Sequence, residues 1–230
     1  MPGRVSSEAL RDVSPMTHRR FLEGSNTPPR QGVGLQLRGI GGWRQPLIGF
    51  DIETYSPKGF PGEGQDPVVA ATLALALERD VRCGLMLISL IYPPHLEERL
   101  LMSLQSLLSS IGDGCLVTYN GRRFDLGYLA HRGGIYGMDF EGVFSNYGHL
   151  DLYEALRLLG IRMPGYGQKT VERCMGIMRV VDDVSGASYH EAFQGFMRSG
   201  SLKPLFYNIE DAVGCLLILM ELMRSMGNQF

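Results

Sequence analysis

The sequence predicts an α/β domain, a mixed sheet covered by helices on both faces, and three observations carry that prediction. Three strand-like apolar runs come first, followed by a helix, a further strand and a succession of helices. Two of the apolar runs are separated only by Arg79-Asp80, which suits a hairpin, whereas the segment at 95–112 repeats its apolar residues at helical spacing. A chain of 230 residues with 44% hydrophobic content is also long and apolar enough to close a sizeable core.

Taken in order, PLIGFDIET (46–54) reads as the first strand. Side chains alternate along a strand, so Asp51 and Glu53, two apart, point to one face of a segment otherwise built for burial. VVAATLALALE (68–78) and VRCGLMLISLIY (81–92) are two further strands, with Arg79-Asp80 between them as a hairpin turn. HLEERLLMSLQSLLSSIG (95–112) is helical and ends in glycine, and CLVTYN (115–120) is a short buried strand. FDLGYLAHRGG (124–134) is a helix stopped by paired glycines. Further helices are expected over 151–159, 168–176, 188–198 and 204–225, the last a long amphipathic closing helix. There is no internal repeat.

Charge divides the chain at about the same place as the pattern does. Residues 1–45 hold seven Arg against Glu8, Asp12 and Glu23, a net +4 that leaves –6 on 46–230. We read 1–45 as a basic arm and 46–230 as the folded domain. The arm either packs on the domain or stays solvated; the alternatives are a nucleic-acid-touching extension and a targeting sequence. The overall charge of –2 gives no global footprint for a polyanion, so an anionic substrate has to be held by local cations or metal ions. Cys83, Cys115, Cys174 and Cys215 form no CxxC pair, which argues against a zinc knuckle or a disulfide framework. No membrane span or signal peptide is evident, and a reducing, cytoplasmic location is expected.

Three more residues stand where the fold can bring them toward Asp51 and Glu53. Asp125 follows a strand in the first turn of a helix. Asp211 lies on the closing helix with Tyr207 one turn before it, on the same face. Like charges about 4 Å apart repel by roughly 4 kcal/mol at an effective dielectric near 20, so converging carboxylates call for a cation. All-oxygen donors suit Mg²⁺ or Mn²⁺, and a pair of such ions can stabilise both the attacking and the leaving oxygen of a displacement at phosphorus.

The segments GFDIET, TYNGRRFDLGYL and YNIED resemble the three motifs of the DEDD (DnaQ-like) 3′-5′ exonuclease superfamily. Tyrosine four residues ahead of the last aspartate matches the DEDDy branch; the DEDDh branch would need a histidine where this chain has Phe206. Within that branch the chain is similar to the exonuclease domains of family B DNA polymerases and to the YprB-type ribonuclease H-like family, over roughly residues 46–225, with HLDLYEAL and GQKTVERCMGI in the intermotif region. The resemblance implies a ribonuclease H-like fold, a mixed five-stranded sheet flanked by helices. It implies Asp51, Glu53, Asp125 and Asp211 as ligands of two Mg²⁺ or Mn²⁺ ions, and Tyr207 as the group that orients the attacking water. It implies hydrolysis from a nucleic-acid 3′ end, with single-stranded DNA the favoured substrate and RNA or a structured end the rival.

Asn120, Arg122, Arg123 and Lys169 are candidate substrate contacts, the cations for phosphates. Asn120 reads equally well as a turn residue, and each cation as solvated surface. Asp151 is either a residue of the cleft or a helix N-cap. Phe50, Tyr55, Tyr119 and Phe124 are expected in the core, with one or two able to stack on a terminal base. His131, His149 and His190 show no metal-ligand spacing. The arm's charge motivates a helicase, polymerase or repair factor as partner. A catalytically silent binding subunit on the same scaffold is the reading from another class; it gives no reason for so costly a cluster of charge.

Overall fold

In β1 (Leu47–Thr54), Ile48, Phe50 and Ile52 are buried on one face, while Gly49, Asp51 and Glu53 occupy the other. Such a strand can sit at the centre of a sheet only if the second face meets something polar or approaches another backbone closely. Both occur. The computed structural model describes residues 46–61, 64–78, 81 and 83–227, and the expectations for the arm over 1–45 and for the Arg79-Asp80 turn lie outside them.

The five-stranded sheet has the order β3-β2-β1-β4-β5. β1 runs antiparallel to β2 (Val68–Ala76), which runs antiparallel to β3 (Leu85–Ile91). On its other side β1 is parallel to β4 (Gly114–Thr118), and β4 is parallel to β5 (Tyr147–Asp151). The mixed α/β sheet expected from the sequence is thus the observed one, with its five strands. β1 and β4 are paired only over Leu47–Gly49, after which the strands part; the amide of Ile52, further along β1, is met by the side chain of Asp125.

Helices cover both faces. α1 (Glu97–Ile111), α2 (Asp125–Ile135) and α3 (Phe140–Phe144) pack Leu100, Leu104, Leu129 and Phe140 against Ile48, Phe50 and Ile52. On the opposite face α4 (Leu152–Leu158), α5 (Gln168–Cys174) and α7 (Lys203–Gly227) join Leu152, Val171, Ala212 and Leu216 to Val117 and Leu150. α6 (Tyr189–Ser199) closes a third cluster in which Tyr189 and Phe193 meet Val69, Ala70 and Tyr207.

Gly49 sets how closely α7 lies on the sheet. A Cβ there would stand 2.1 Å from the carbonyl oxygen of Ala212, so the helix backbone rests directly on the strand backbone. That approach puts Asp211, the residue before Ala212, over the face carrying Asp51 and Glu53.

Three local differences from the sequence reading have physical reasons. β5 occupies YGHLD, where the residues alone point only to a helix from 151; Asp151 is in fact its last residue and the N-cap of α4, accepting from the amides of Tyr153 and Glu154. The paired glycines do not stop α2, which runs on to Ile135. Gly133 is there for packing, because a Cβ would lie 2.4 Å from the Phe140 ring. The short helix α3 has no counterpart in the sequence reading and is started by Asp139, whose side chain accepts from the Gly142 amide.

Where α1 and α2 meet β2, a largely buried ion pair ties the layers together. Glu97, at the start of α1, accepts from the Val68 amide at 2.7 Å, from Arg132 of α2 and from the Tyr136 hydroxyl at 2.8 Å. Arg132 also donates to the carbonyl of Gly64 at 3.1 Å, so one carboxylate holds β2, two helices and a loop in register.

Candidate active site

Asp51 and Glu53 project from β1 and Asp211 from α7, and one carboxylate oxygen from each lies within 4.8 Å of the others. Asp51 is partly buried, while Glu53 and Asp211 are buried. Unit charges about 5 Å apart repel by about 3 kcal/mol at an effective dielectric near 20, so the trio carries a real cost when fully ionised. Burial is the largest cause that raises the pKa of both Asp51 and Glu53, and the charges of Asp211 and Asp125 add to it. Hard, anionic oxygen donors at this spacing fit a divalent cation such as Mg²⁺ or Mn²⁺ and offer nothing to a soft one.

Asp125 stands beside this trio without belonging to it. It opens α2, directly after the turn that leaves β4, and its Oδ1 accepts from the Ile52 amide at 3.0 Å, between Asp51 and Glu53 in sequence. A Cβ on Gly121 would be 2.8 Å from its other oxygen, so the Asn-Gly turn makes room for this carboxylate. Asn120 itself takes a left-handed φ of 61°, a conformation Asn tolerates better than most residues. Burial lifts Asp125 to about 7, against a lowering by the Ile52 amide. Asp211 is raised to about 6, again by burial, with Arg179 opposing the shift.

Tyr207 is buried one turn before Asp211, its ring 5.8 Å from that of Tyr189. Burial, followed by the charge of Asp211, pushes its hydroxyl well above the ordinary phenol range. It therefore stays protonated throughout the neutral range, a hydrogen-bond donor and not a base.

The neighbouring residues supply the scaffolding. Asn208 donates to Asp51 Oδ2 at 2.6 Å and accepts from Thr72 of β2 at 2.6 Å, which fixes the orientation of the carboxylate. Gln168 of α5 donates to the backbone carbonyl of Asp211 at 2.7 Å. Arg179 donates to both Asp211 and Glu172, and its guanidinium lies 5.8 Å from the centre of the Tyr207 ring. None of these partners is singled out by the sequence reading. Asn208 is legible only as the residue directly after Tyr207 in YNIED.

A cleft of about 600 Å³ opens beside Asp211 and Tyr207, lined among others by Phe60, Tyr119, Tyr153 and Tyr166. Asn120, Arg123 and Lys169 also line it, whereas Arg122 does not. The Asn120 amide donates to Asp151 and the Arg122 amide to the same carboxylate, while the Arg122 side chain pairs with Glu154 at 3.3 Å. Asp151 thus caps α4 and clamps the 120–122 turn. The Lys169 ammonium donates to the carbonyls of Val181, Asp182 and Val184 and lies 5.2 Å from the Tyr207 ring centre. Of the aromatics flanking the motifs, Phe50 is in the core, Tyr55 packs on Phe193, Phe124 packs on Tyr128, and Tyr119 reaches the cleft. His149 bonds Thr118 at 2.9 Å within the sheet. Among the described residues no helix is long and apolar enough to cross a membrane.

Comparison with known proteins gives this geometry a context. The family model RNase_H_2, of the RNase_H superfamily, matches residues 49–223, a span that contains all four carboxylates. No curated protein matches the chain. Among solved structures it is similar to the family B DNA polymerase from the hyperthermophilic archaeon Pyrobaculum calidifontis, with a TM-score of 0.60 at 19% identity. The likeness covers 78% of this chain and 24% of the polymerase chain, so it spans about a quarter of that protein and speaks for the fold.

Proposed function

The chain belongs to the RNase_H_2 family of the RNase H superfamily, and from that membership we propose that it is a metal-dependent 3′-5′ exonuclease acting on nucleic-acid 3′ ends, single-stranded DNA first. The observation that carries the reading is the convergence of Asp51, Glu53 and Asp211 within 4.8 Å, with Tyr207 one helical turn from the last. Two Mg²⁺ or Mn²⁺ ions held by these three and Asp125 would supply Lewis acidity at the scissile phosphate and charge compensation for the leaving 3′ oxygen.

The protein's own contributions follow from their surroundings. Asn208 keeps Asp51 pointed into the site. The Tyr207 hydroxyl, protonated at neutral pH, holds the attacking water by donating to it or by fixing its lone pairs, and does not abstract its proton. The aromatic cleft suits unpaired bases, because stacking accepts any base face, and Arg123 at its wall suits the phosphates between them, whereas the three donors of Lys169 are engaged by backbone carbonyls. An intracellular protein whose basic arm recruits a helicase, polymerase or repair factor completes the proposal; deleting residues 1–45 should then weaken binding to substrate or to that partner.

The test uses strands labelled at the 3′ or the 5′ end, as DNA and as RNA, with Mg²⁺ or Mn²⁺, beside Asp51→Ala. We expect early release of the 3′ label as mononucleotide and loss of release in the variant by orders of magnitude. A variant as active as the parent, or release from the 5′ end first, overturns the assignment; faster loss of RNA than of DNA would replace the substrate named here.

A further inference from the structure

Between α5 and α6 the chain crosses α7 with its side chains alternating in and out. Met178 is 93% exposed and Val180 91%, yet the Arg179 side chain between them is 5% exposed. The segment is anchored by polar bonds: the amides of Val180 and Val181 donate to the Glu210 carboxylate, and Lys169 holds the carbonyls beyond. Arg179 is driven inward to the acidic face. There its Nε and Nη2 both donate to Glu172, and Nη2 alone donates to Asp211. Glu172 is buried, and a Cβ on Gly214 would stand 2.1 Å from its Oε1, so α7 has been cut back to admit this carboxylate.

Two features set the arrangement apart from an ordinary structural ion pair. Asp211 is simultaneously one of the three carboxylates spaced for a cation. Nη1 of Arg179 is buried without a hydrogen-bond partner, so the guanidinium's donors are not all used in this arrangement. We propose that Arg179 is the resident counter-cation of the site, neutralising Asp211 until a divalent ion arrives and then yielding it, so that ion binding is an exchange of cations. Glu172 is the hinge of that exchange: it holds the guanidinium by two bonds against one for Asp211, and it keeps Arg179 when Asp211 is released. Arg179 is thus a positioning residue that sets cation affinity. The inference rests on the metal-site reading above.

The experiment measures Mn²⁺ binding to the full chain at pH 8, by calorimetry and by the resonance signal of free Mn²⁺, together with the melting shift Mn²⁺ produces. Arg179→Gln removes the competitor and should bind Mn²⁺ several-fold more tightly than the parent, with a larger melting shift. Glu172→Gln leaves Asp211 as the one carboxylate hydrogen-bonded to Arg179 among the described residues and should bind Mn²⁺ several-fold more weakly. These opposite signs separate competition from damage, and if Arg179→Gln fails to fold without metal, Glu172→Gln decides. Mn²⁺ bound by the parent with an affinity that Arg179→Gln leaves unchanged or weakens, or that Glu172→Gln strengthens, overturns the counter-cation role alone. A parent chain that binds no Mn²⁺ overturns the metal site itself.

Discussion

Asp51 shows how one side chain can be costly for folding and yet suited to holding a cation. Burial first, then the charges of Asp211, Asp125 and Glu53, hold its proton more tightly than usual, and the Asn208 amide offsets only part of this. Asp51→Asn keeps the shape and removes the charge. In EDTA the variant should be more stable than the parent by on the order of 1 kcal/mol, while losing the melting shift caused by Mn²⁺. Thermal denaturation with and without Mn²⁺ checks both halves; a variant that is less stable in EDTA would show that the cluster costs nothing. At this scale, legibility followed periodicity. Asp51 and Glu53 share a face because strands repeat every two residues, and Tyr207 and Asp211 because helices bring i and i+4 together. Arg179 had no such signal. Its partners lie 7 and 32 residues away, and nothing local distinguishes an arginine bound to a buried aspartate from one in solvent.

Elements place these residues, and the closest placement is α7 on β1. Gly49→Ala would set a methyl carbon against the Ala212 carbonyl, an overlap that the helix can relieve only by moving off the strand. We expect a loss of about 1–3 kcal/mol in urea denaturation, and a fall in Mn²⁺ affinity because Asp211 moves with the helix. Unchanged Mn²⁺ affinity would mean that the approach serves packing alone. The Glu97–Arg132 pair makes the complementary case. Glu97→Ala takes the carboxylate from a partly buried guanidinium that keeps its bonds to the Gly64 and Gln65 carbonyls, and should cost about 2–3 kcal/mol, with Mn²⁺ affinity of the folded protein intact; a cost below about 1 kcal/mol would remove the pair from the fold's supports. Apolar runs and spacing revealed β1 to β4 and all the longer helices. β5 was hidden because YGHLD has too little apolar alternation to read as a strand, and it owes its pairing to β4. The glycines of α2 misled because glycine commonly stops helices, whereas Gly133 answers to Phe140 across the interhelical contact.

For the molecule as a whole, the acidic face makes stability depend on pH in an unusual direction. Asp125 at about 7 and Asp211 at about 6 bind protons more tightly when folded than the ordinary 3.8. A raised carboxylate pKa means that the folded state holds more protons than the unfolded chain between those values, so stability falls as pH rises from about 4 to about 7. In EDTA the melting temperature should therefore be several degrees lower at pH 8 than at pH 5. Mn²⁺ should restore it at pH 8 and do little at pH 5, where protons occupy its ligands. Melting curves at the two pH values, with and without the ion, test this, and a melting temperature that climbs with pH in EDTA would sink it. The mixed sheet was legible from the order of the runs, but the parting of β1 from β4 was not, since pairing that stops part way leaves no mark in composition. That parting has a consequence for observation. The amide of Ile52 is satisfied by an ionisable side chain instead of a neighbouring strand, so its nitrogen resonance must follow the charge on Asp125. A single backbone signal inside the sheet becomes a listening post for protons and ions at the site, readable without any substrate.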